Sequence, residues 1–274
     1  MASRAGLPPR RKRFGQHFLH DPQVVARIVR ALAARPGDHL LEIGPGRGAL
    51  TAQLLALPDI TLDALEIDRD LAALLRVRFG DSPRHALHEG DALEFDFSAL
   101  ARARGGALRI VGNLPYNIST PLLFHLLEHA AAIIDLTLML QREVAARLGA
   151  LPGGKDYGRL GVMLAPRFQV QRLFEVGPGA FQPPPRVWSA VVRLSVRSQP
   201  LFAVSPRYAQ VVAAAFSQRR KTLRNALSQI LTAEQIRACG IDPGARPETL
   251  APAAFNTLAE TAARAALDRS GAAG

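Results

Sequence analysis

The stretch Leu40–Thr51, "LLEIGPGRGALT", decides how this chain is read. A short apolar run, with β-branched Ile43 near its end, reads as a largely buried strand. Three alternating glycines, Gly44, Gly46 and Gly48, then turn the chain, and "ALTAQLLAL" resumes with apolar residues at helical spacing. Glycine allows a tight turn and lets backbone approach a ligand closely. The spacing is not the G-x-G-x-x-G form of dinucleotide sites, because the third glycine comes one residue early.

The pattern repeats outward from this turn. "ITLDALEID" (60–68), "HALHEGDAL" (85–93), "ALRIVGN" (107–113) and "IDLTLMLQ" (134–141) read as further strands. Between them, "RDLAALLRVRF" (69–79) and "STPLLFHLLEHA" (119–130) read as helices, the second capped by Ser119 or Thr120. "HDPQVVARIVRALAARPGD" (20–38) is a helix capped by His20 or Asp21, with Pro22 in its first position. "REVAARLGA" (142–150) follows the fifth strand as another helix. Strand–helix alternation implies an open parallel sheet covered on both faces, a Rossmann-like α/β fold. Gly and Pro punctuate "LPGGKDYGRLG" (151–161), and "VWSAVVRLSV" (187–196) reads as a strand near the sheet edge, anchored by Trp188. From Pro206 onward the chain is helical with short breaks. The expected division is a basic arm over 1–20, the α/β domain over 21–200 and a small helical domain over 201–274, with the boundary near Ser198–Ser205.

Lys and Arg number 34 against 23 Asp and Glu, a formal net charge of +11 over 274 residues. Such a balance favours a polyanionic partner, nucleic acid above an anionic membrane. The single cysteine, Cys239, excludes an internal disulfide framework and a cysteine-built zinc site, and the seven histidines lack metal-ligand spacing. No apolar run is long enough to span a bilayer, so a cytoplasmic chain without a metal site is expected.

The strand ends carry the chemistry. Glu66 lies about 20 residues past the glycines, where a carboxylate can hold both hydroxyls of a ribose. Its bland reading is a surface acid or a helix cap. Asp68 is placed to cap the following helix. Asp91, in "EGDALEFDF", can accept from an exocyclic adenine amine or simply close an Asp turn. The fourth strand runs into "VGNLPYNI" (111–118), an odd terminus with an amide, a rigid peptide and an aromatic ring. Its bland reading is a Pro-terminated strand with Tyr116 covering the core edge.

Taken in order, "GQHFL" (15–19), "EIGPGRGALT" (42–51), "EID" (66–68), "GDAL" (90–93), "GNLPYNIST" (112–120) and "FQPPPRVWSAVVRL" (181–194) resemble one family. That family is the ribosomal RNA adenine dimethyltransferases, in particular the bacterial small-subunit branch acting on 16S rRNA. The resemblance runs from Phe14 into the C-terminal helices. It implies a class I methyltransferase sheet that uses S-adenosyl-L-methionine and releases S-adenosyl-L-homocysteine. The residues matching the family's cofactor contacts are His17, Leu19, Gly44, Glu66, Asp91 and Asn113. His17 stands where the family usually has Asn, and an imidazole cannot copy amide geometry. The implied catalytic set is Asn113, Leu114, Pro115, Tyr116 and Phe181. The Asn113 side-chain oxygen and the Leu114 carbonyl would accept the hydrogens of adenine N6, with Pro115 holding that carbonyl rigid. Tyr116 would stack on the flipped base. Phe181 would form the other face of that sandwich, or else is a packed core residue.

Two basic segments suit phosphate contacts: "PPRRKRF" with Arg11, Lys12 and Arg13, and "FSQRRKTLRNAL" with Arg219, Arg220, Lys221 and Arg224 on one stretch of helix. A solvated surface is the alternative. The expected partner is 16S rRNA in an immature 30S subunit, bound by a monomer. Competing readings are a 23S rRNA adenine methyltransferase, a DNA adenine methyltransferase, or a ribosome-assembly factor with little turnover.

Overall fold

The computed structural model describes residues 16–80, 84–218 and 220–271. The chain begins with β1 (Phe18–Leu19) and α1 (Pro22–Leu32). Asp21 caps α1, its side chain accepting from the amides of Gln23 and Val24, and Val25, Ile28 and Leu32 form the buried stripe. The helix stops at Leu32 because Ala33 takes a left-handed conformation, before Pro36 is reached.

The alternation then proceeds through β2 (His39–Ile43), α2 (Ala49–Leu55), β3 (Thr61–Glu66), α3 (Arg69–Phe79), β4 (His85–Glu89), α4 (Phe97–Arg104), β5 (Leu108–Asn113), α5 (Ser119–Glu128) and β6 (Ile133–Gln141). After α6 (Arg142–Leu148) and α7 (Arg159–Leu164) come β7 (Phe168–Val176), β8 (Phe181–Gln182) and β9 (Ser189–Val196). Short helices α8 (Tyr208–Ala215), α9 (Leu223–Ala226) and α10 (Ala233–Ala238) precede α11 (Pro252–Gly271).

Seven strands form one sheet in the order β4-β3-β2-β5-β6-β9-β7. The β4-β3-β2-β5-β6 pairings are parallel, and β9 is antiparallel to β6. The expected parallel sheet thus holds over these five strands and continues on one side into antiparallel β9, near the edge as expected, with β7 outermost. The antiparallel pairing joins Leu136, Leu138 and Leu140 to buried Leu194, Val192 and Ala190, an apolar seam that both strands need to bury. A separate two-stranded ribbon pairs β1 with β8, Leu19 opposite Phe181.

Neither Ser119 nor Thr120 caps α5. Ile118 holds that position with no side-chain bond, while the Ser119 hydroxyl donates to the Pro115 carbonyl at 3.1 Å. The Pro115–Ile118 turn enters the helix directly and leaves no extended residue to cap it.

The described residues divide into two compact units. One comprises the chain up to Ala145 with Gln169–Val196; the other comprises Ala146–Phe168 with the chain from Arg197 onward. The stretch Ala146–Phe168, which ends at the first residue of β7, therefore groups with the C-terminal helices, whereas the span expected for the α/β domain was 21–200. The reason is apolar and polar at once. Tyr157 and Val162 pack in a cluster with Tyr208, Val211, Leu223 and Phe255. The Tyr157 hydroxyl donates to the Leu250 carbonyl at 2.7 Å, and that of Tyr208 to the Val162 carbonyl at 2.9 Å.

The second basic segment is not one helix. Residues 217, 218 and 220–222 link α8 to α9 outside helical structure, and among the described basic residues of the segment only Arg224 sits on a helix. Five successive polar residues, 218–222, offer no apolar stripe that a helix could bury. Arg220, Lys221 and Arg224 are all exposed. Arg11, Lys12, Arg13 and Arg219 lie outside the described residues.

Candidate active site

The order of the sheet reverses between β2 and β5, and open α/β sheets bind ligands beyond the carboxyl ends of strands at such a point. A cavity of about 290 Å³ lies there. It is lined from the N-terminal segment by His17 and Leu19, from β2 and its turn by Glu42, Gly44 and Gly46, and from β3 by Glu66. Asp91 follows β4, and Asn113 through Tyr116 follow β5. All six residues expected to hold a cofactor, and four of the five expected catalytic residues, share this one cavity.

The glycine turn is built as its sequence requires. Gly44, Gly46 and Gly48 have φ of +69°, +59° and +77°, a region that disfavours side chains. At Gly48 a Cβ would also lie 2.5 Å from the Phe79 ring. The turn aims the Gly46 amide at Glu66, whose Oε2 accepts it at 3.0 Å, while Oε1 accepts the Asp68 amide at 3.0 Å. A carboxylate has lone pairs for further donors after these two. Burial raises the Glu66 carboxyl above the ordinary range, and the amide bonds oppose that rise. Asp68 caps α3 as expected and also accepts from the Gln16 side chain. Asp91 does close a turn, Oδ1 accepting the Leu93 amide at 2.9 Å, yet it faces the cavity as well.

Glu42 is 2% exposed. The Thr51 hydroxyl donates to its Oε2 at 2.7 Å. Burial pushes its carboxyl up to about 8; the Thr51 bond opposes this and the charge of Glu66 adds to it.

The far side of the cavity answers the oddity of "NLPY". The Asn113 Nδ2 donates to the His17 carbonyl at 2.9 Å. A carbonyl only accepts, so the amide orientation is set and Oδ1 is left as an acceptor. The Leu114 amide donates to the Met139 carbonyl at 3.2 Å, and its own carbonyl receives no hydrogen bond from any described residue. The Tyr116 hydroxyl bonds the Ser189 hydroxyl at 2.7 Å, which holds the ring. Burial raises the Tyr116 phenol, against that bond, so the ring stays neutral. The His17 ring stacks on Tyr116 with centroids 5.7 Å apart, and its Nδ1 donates to the Pro183 carbonyl at 2.8 Å.

Phe181 is not brought into this cavity. It is 2% exposed and packs with Leu19, Val25 and Ile28 in the core. Its pairing with Leu19 turns the ring inward, so it supports the ribbon that carries His17. Trp188, expected to anchor the sheet edge, is 48% exposed. Two positions escaped the sequence reading. Ser189, inside the "VWSAVV" motif, steadies Tyr116. Ile67, between the two acids of "EID", lines the cavity while 43% exposed, and an apolar residue set between two acids at a strand end was the available signal.

A profile of the ribosomal RNA adenine dimethylase family matches residues 9–264. The chain belongs to the ribosomal RNA adenine dimethylase family. As a member it is an S-adenosylmethionine-dependent ribosomal RNA adenine dimethyltransferase with a class I methyltransferase fold. It is 56% identical over 251 residues to ribosomal RNA small subunit methyltransferase A of Pseudomonas aeruginosa, covering 91% of this chain and 93% of that protein. The protein of that name from Marinobacter nauticus is 52% identical over 252 residues, 91% and 90% of the two chains. Among solved structures, a dimethyladenosine transferase from Plasmodium falciparum shares the fold at TM-score 0.75 and 24% identity, over 88% of this chain and 96% of that one. The 23S rRNA methyltransferase ErmE superposes at TM-score 0.67 with 29% identity, over 90% and 99%.

Proposed function

We propose that this dimethylase transfers methyl groups to N6 of two adjacent adenosines near the 3′ end of 16S rRNA, in the assembling 30S subunit. The choice of small subunit over 23S rRNA rests on relatives of that name at 52–56% identity, against 29% for the 23S enzyme. The cavity fits a nucleoside-bearing donor. It joins a glycine cradle of positive φ, a buried ribose-height acid in Glu66, and Asp91 beside apolar Ile67 and Ala92.

The donor, when bound, supplies a methyl group made electrophilic by its sulfonium. Glu66 would hold the ribose hydroxyls, Asp91 the adenine amine, and Gly44 would let the methionine part approach. His17 contributes through its carbonyl, which orients Asn113, and through its ring against Tyr116. Asn113 Oδ1 and the Leu114 carbonyl take the two hydrogens of the target amine. This draws the nitrogen lone pair out of the ring and towards the methyl carbon. Pro115 keeps the Leu114 carbonyl in place, and Tyr116 presents one face to the flipped base. With a new carbon–nitrogen bond replacing the donor's carbon–sulfur bond, the extra proton would leave N6 for solvent, so these residues need include no strong base. The exposed Arg220, Lys221 and Arg224, with Arg11, Lys12, Arg13 and Arg219, are the phosphate contacts we assign to the RNA.

The observation carrying this reading is the Asn113 amide, locked with its oxygen left to accept. Its test is Asn113→Ala, assayed with labelled S-adenosylmethionine on 30S subunits lacking the modification. Dimethyladenosine formation should fall at least about a hundredfold, while 30S binding persists. Activity retained within a few-fold overturns the catalytic assignment. Transfer by the wild type to naked 23S RNA and not to 30S overturns the substrate.

A further inference from the structure

Glu42 is the buried titratable group in the cavity wall that the mechanism leaves unused. It belongs to the central strand β2, where its register partners are Ala64 on β3 and Val111 on β5, both apolar and fully buried. From α2 it meets the Thr51 hydroxyl. From the end of β3 it meets the charge of Glu66, a like charge. The other titratable groups lining the cavity are His17 on the N-terminal segment, Arg47 in the glycine turn, Asp91 after β4 and Tyr116 after β5. None of them bonds Glu42, and its Oε1 receives no hydrogen bond from any described residue. A side chain 2% exposed, facing a ligand cavity, thus has a hydroxyl as its only bonded partner among the described residues.

Such an acid keeps its proton until a positive charge arrives. Methyl donor and product share the same amino-acid and adenosine parts. That shared amino-acid end carries an ammonium and a carboxylate in both, so it brings no net charge; the two differ at sulfur, a sulfonium cation in the donor against a neutral thioether in the product. We propose that Glu42 senses this difference, holding a proton in the ligand-free and product-bound enzyme and releasing it when the sulfonium donor binds. Ionised, it attracts the donor; once the methyl has left, it takes a proton back and the attraction to the product is lost. Glu42 is then a specificity-determining residue that favours exchange of product for donor, and it touches no reacting atom. Its carboxyl, pushed up to about 8, has the proton to release at neutral pH.

The inference rests on the reading that this cavity holds S-adenosylmethionine. Calorimetric titration of the whole protein at pH 7, in buffers of different ionisation enthalpy, counts the protons exchanged. Wild type should release up to one proton on binding S-adenosylmethionine and markedly fewer on binding S-adenosylhomocysteine. Glu42→Gln, which still accepts from Thr51, should abolish that difference. Equal release with both ligands, or an unchanged difference in the variant, overturns the proposal. Should the variant not fold, the wild type decides alone. Its affinity ratio of donor to product should climb up to about tenfold per pH unit from pH 6 and level off near 8. A flat ratio overturns the inference. Absence of any donor binding would instead overturn the reading of the cavity itself.

Discussion

Glu42 and Asp63 are buried acids on neighbouring strands, and the same burial leaves them in opposite states. Asp63, on β3, is fully buried. Arg104 grips it through Nε and Nη2, each at 2.7 Å, and His88 Nε2 lies 2.7 Å from Oδ1. Burial pushes its carboxyl up, but the bonds from His88 and Arg104 prevail and hold it below the ordinary range. Glu42 has a hydroxyl and a like charge for neighbours, and burial wins. Pairing inside the protein settles the charge where it joins β3, β4 and α4. Where the wall faces a cavity, no described residue supplies an opposite charge bonded to Glu42. Arg109, clamped between Asp135 and Asp38 at 2.7 Å each, belongs to the first kind.

The comparison breaks most visibly at Asp63. Asp63→Asn leaves Arg104 and His88 facing a neutral amide, and should lower stability by about 2 kcal/mol in urea denaturation at pH 7. That figure is kept modest because the Arg104 side chain is 26% exposed. A carboxyl lowered in the fold stabilises above its unfolded value and loses that contribution as pH falls through its folded one. The difference between variant and wild type should therefore shrink in strong acid.

Glu42 should behave with the reverse sign. Its carboxyl is raised in the fold, so the native state keeps a proton that the unfolded chain has lost between the ordinary 4.5 and about 8. Ligand-free wild type should lose stability across that window more steeply than Glu42→Gln, in which Glu66 is the raised acid that remains. The variant's advantage at pH 8 should be about 1 kcal/mol or more, read from denaturation curves at each pH. A variant equally stable relative to wild type at pH 5 and pH 8 would dissolve the contrast between the two acids.

A surface pair marks the lower end of the scale. Arg172 and Glu175 lie 2.9 Å apart with side chains 46% and 39% exposed. Arg172→Ala should change stability by less than about 0.5 kcal/mol, and less still at high salt.

Much of the site was legible because it is local. Gly44–Gly48 announce a turn through backbone freedom, and Glu66, Asp91 and Asn113 fall at strand ends that period and turn residues locate. All of them line one cavity. Phe181 was misplaced because its direction depends on pairing with Leu19, far away in the chain. The α5 cap was misread because the Pro115 turn, and not a Ser or Thr side chain, delivers the helix. The Gly- and Pro-punctuated stretch 151–161 looks like a flexible link after the sheet, yet Tyr157 within it and Val162 just beyond it find their apolar partners among helices that follow much later.

The sequence by itself determined the α/β alternation, the glycine turn and the acids at the strand ends, because these follow from side-chain period and backbone freedom over a few residues. Only the tertiary structure decided the unit that claims 146–168, the inward turn of Phe181, the locked amide of Asn113, and the opposite states of Glu42 and Asp63. Burial and charge state depend on neighbours brought from distant strands and helices, and no local pattern names those neighbours.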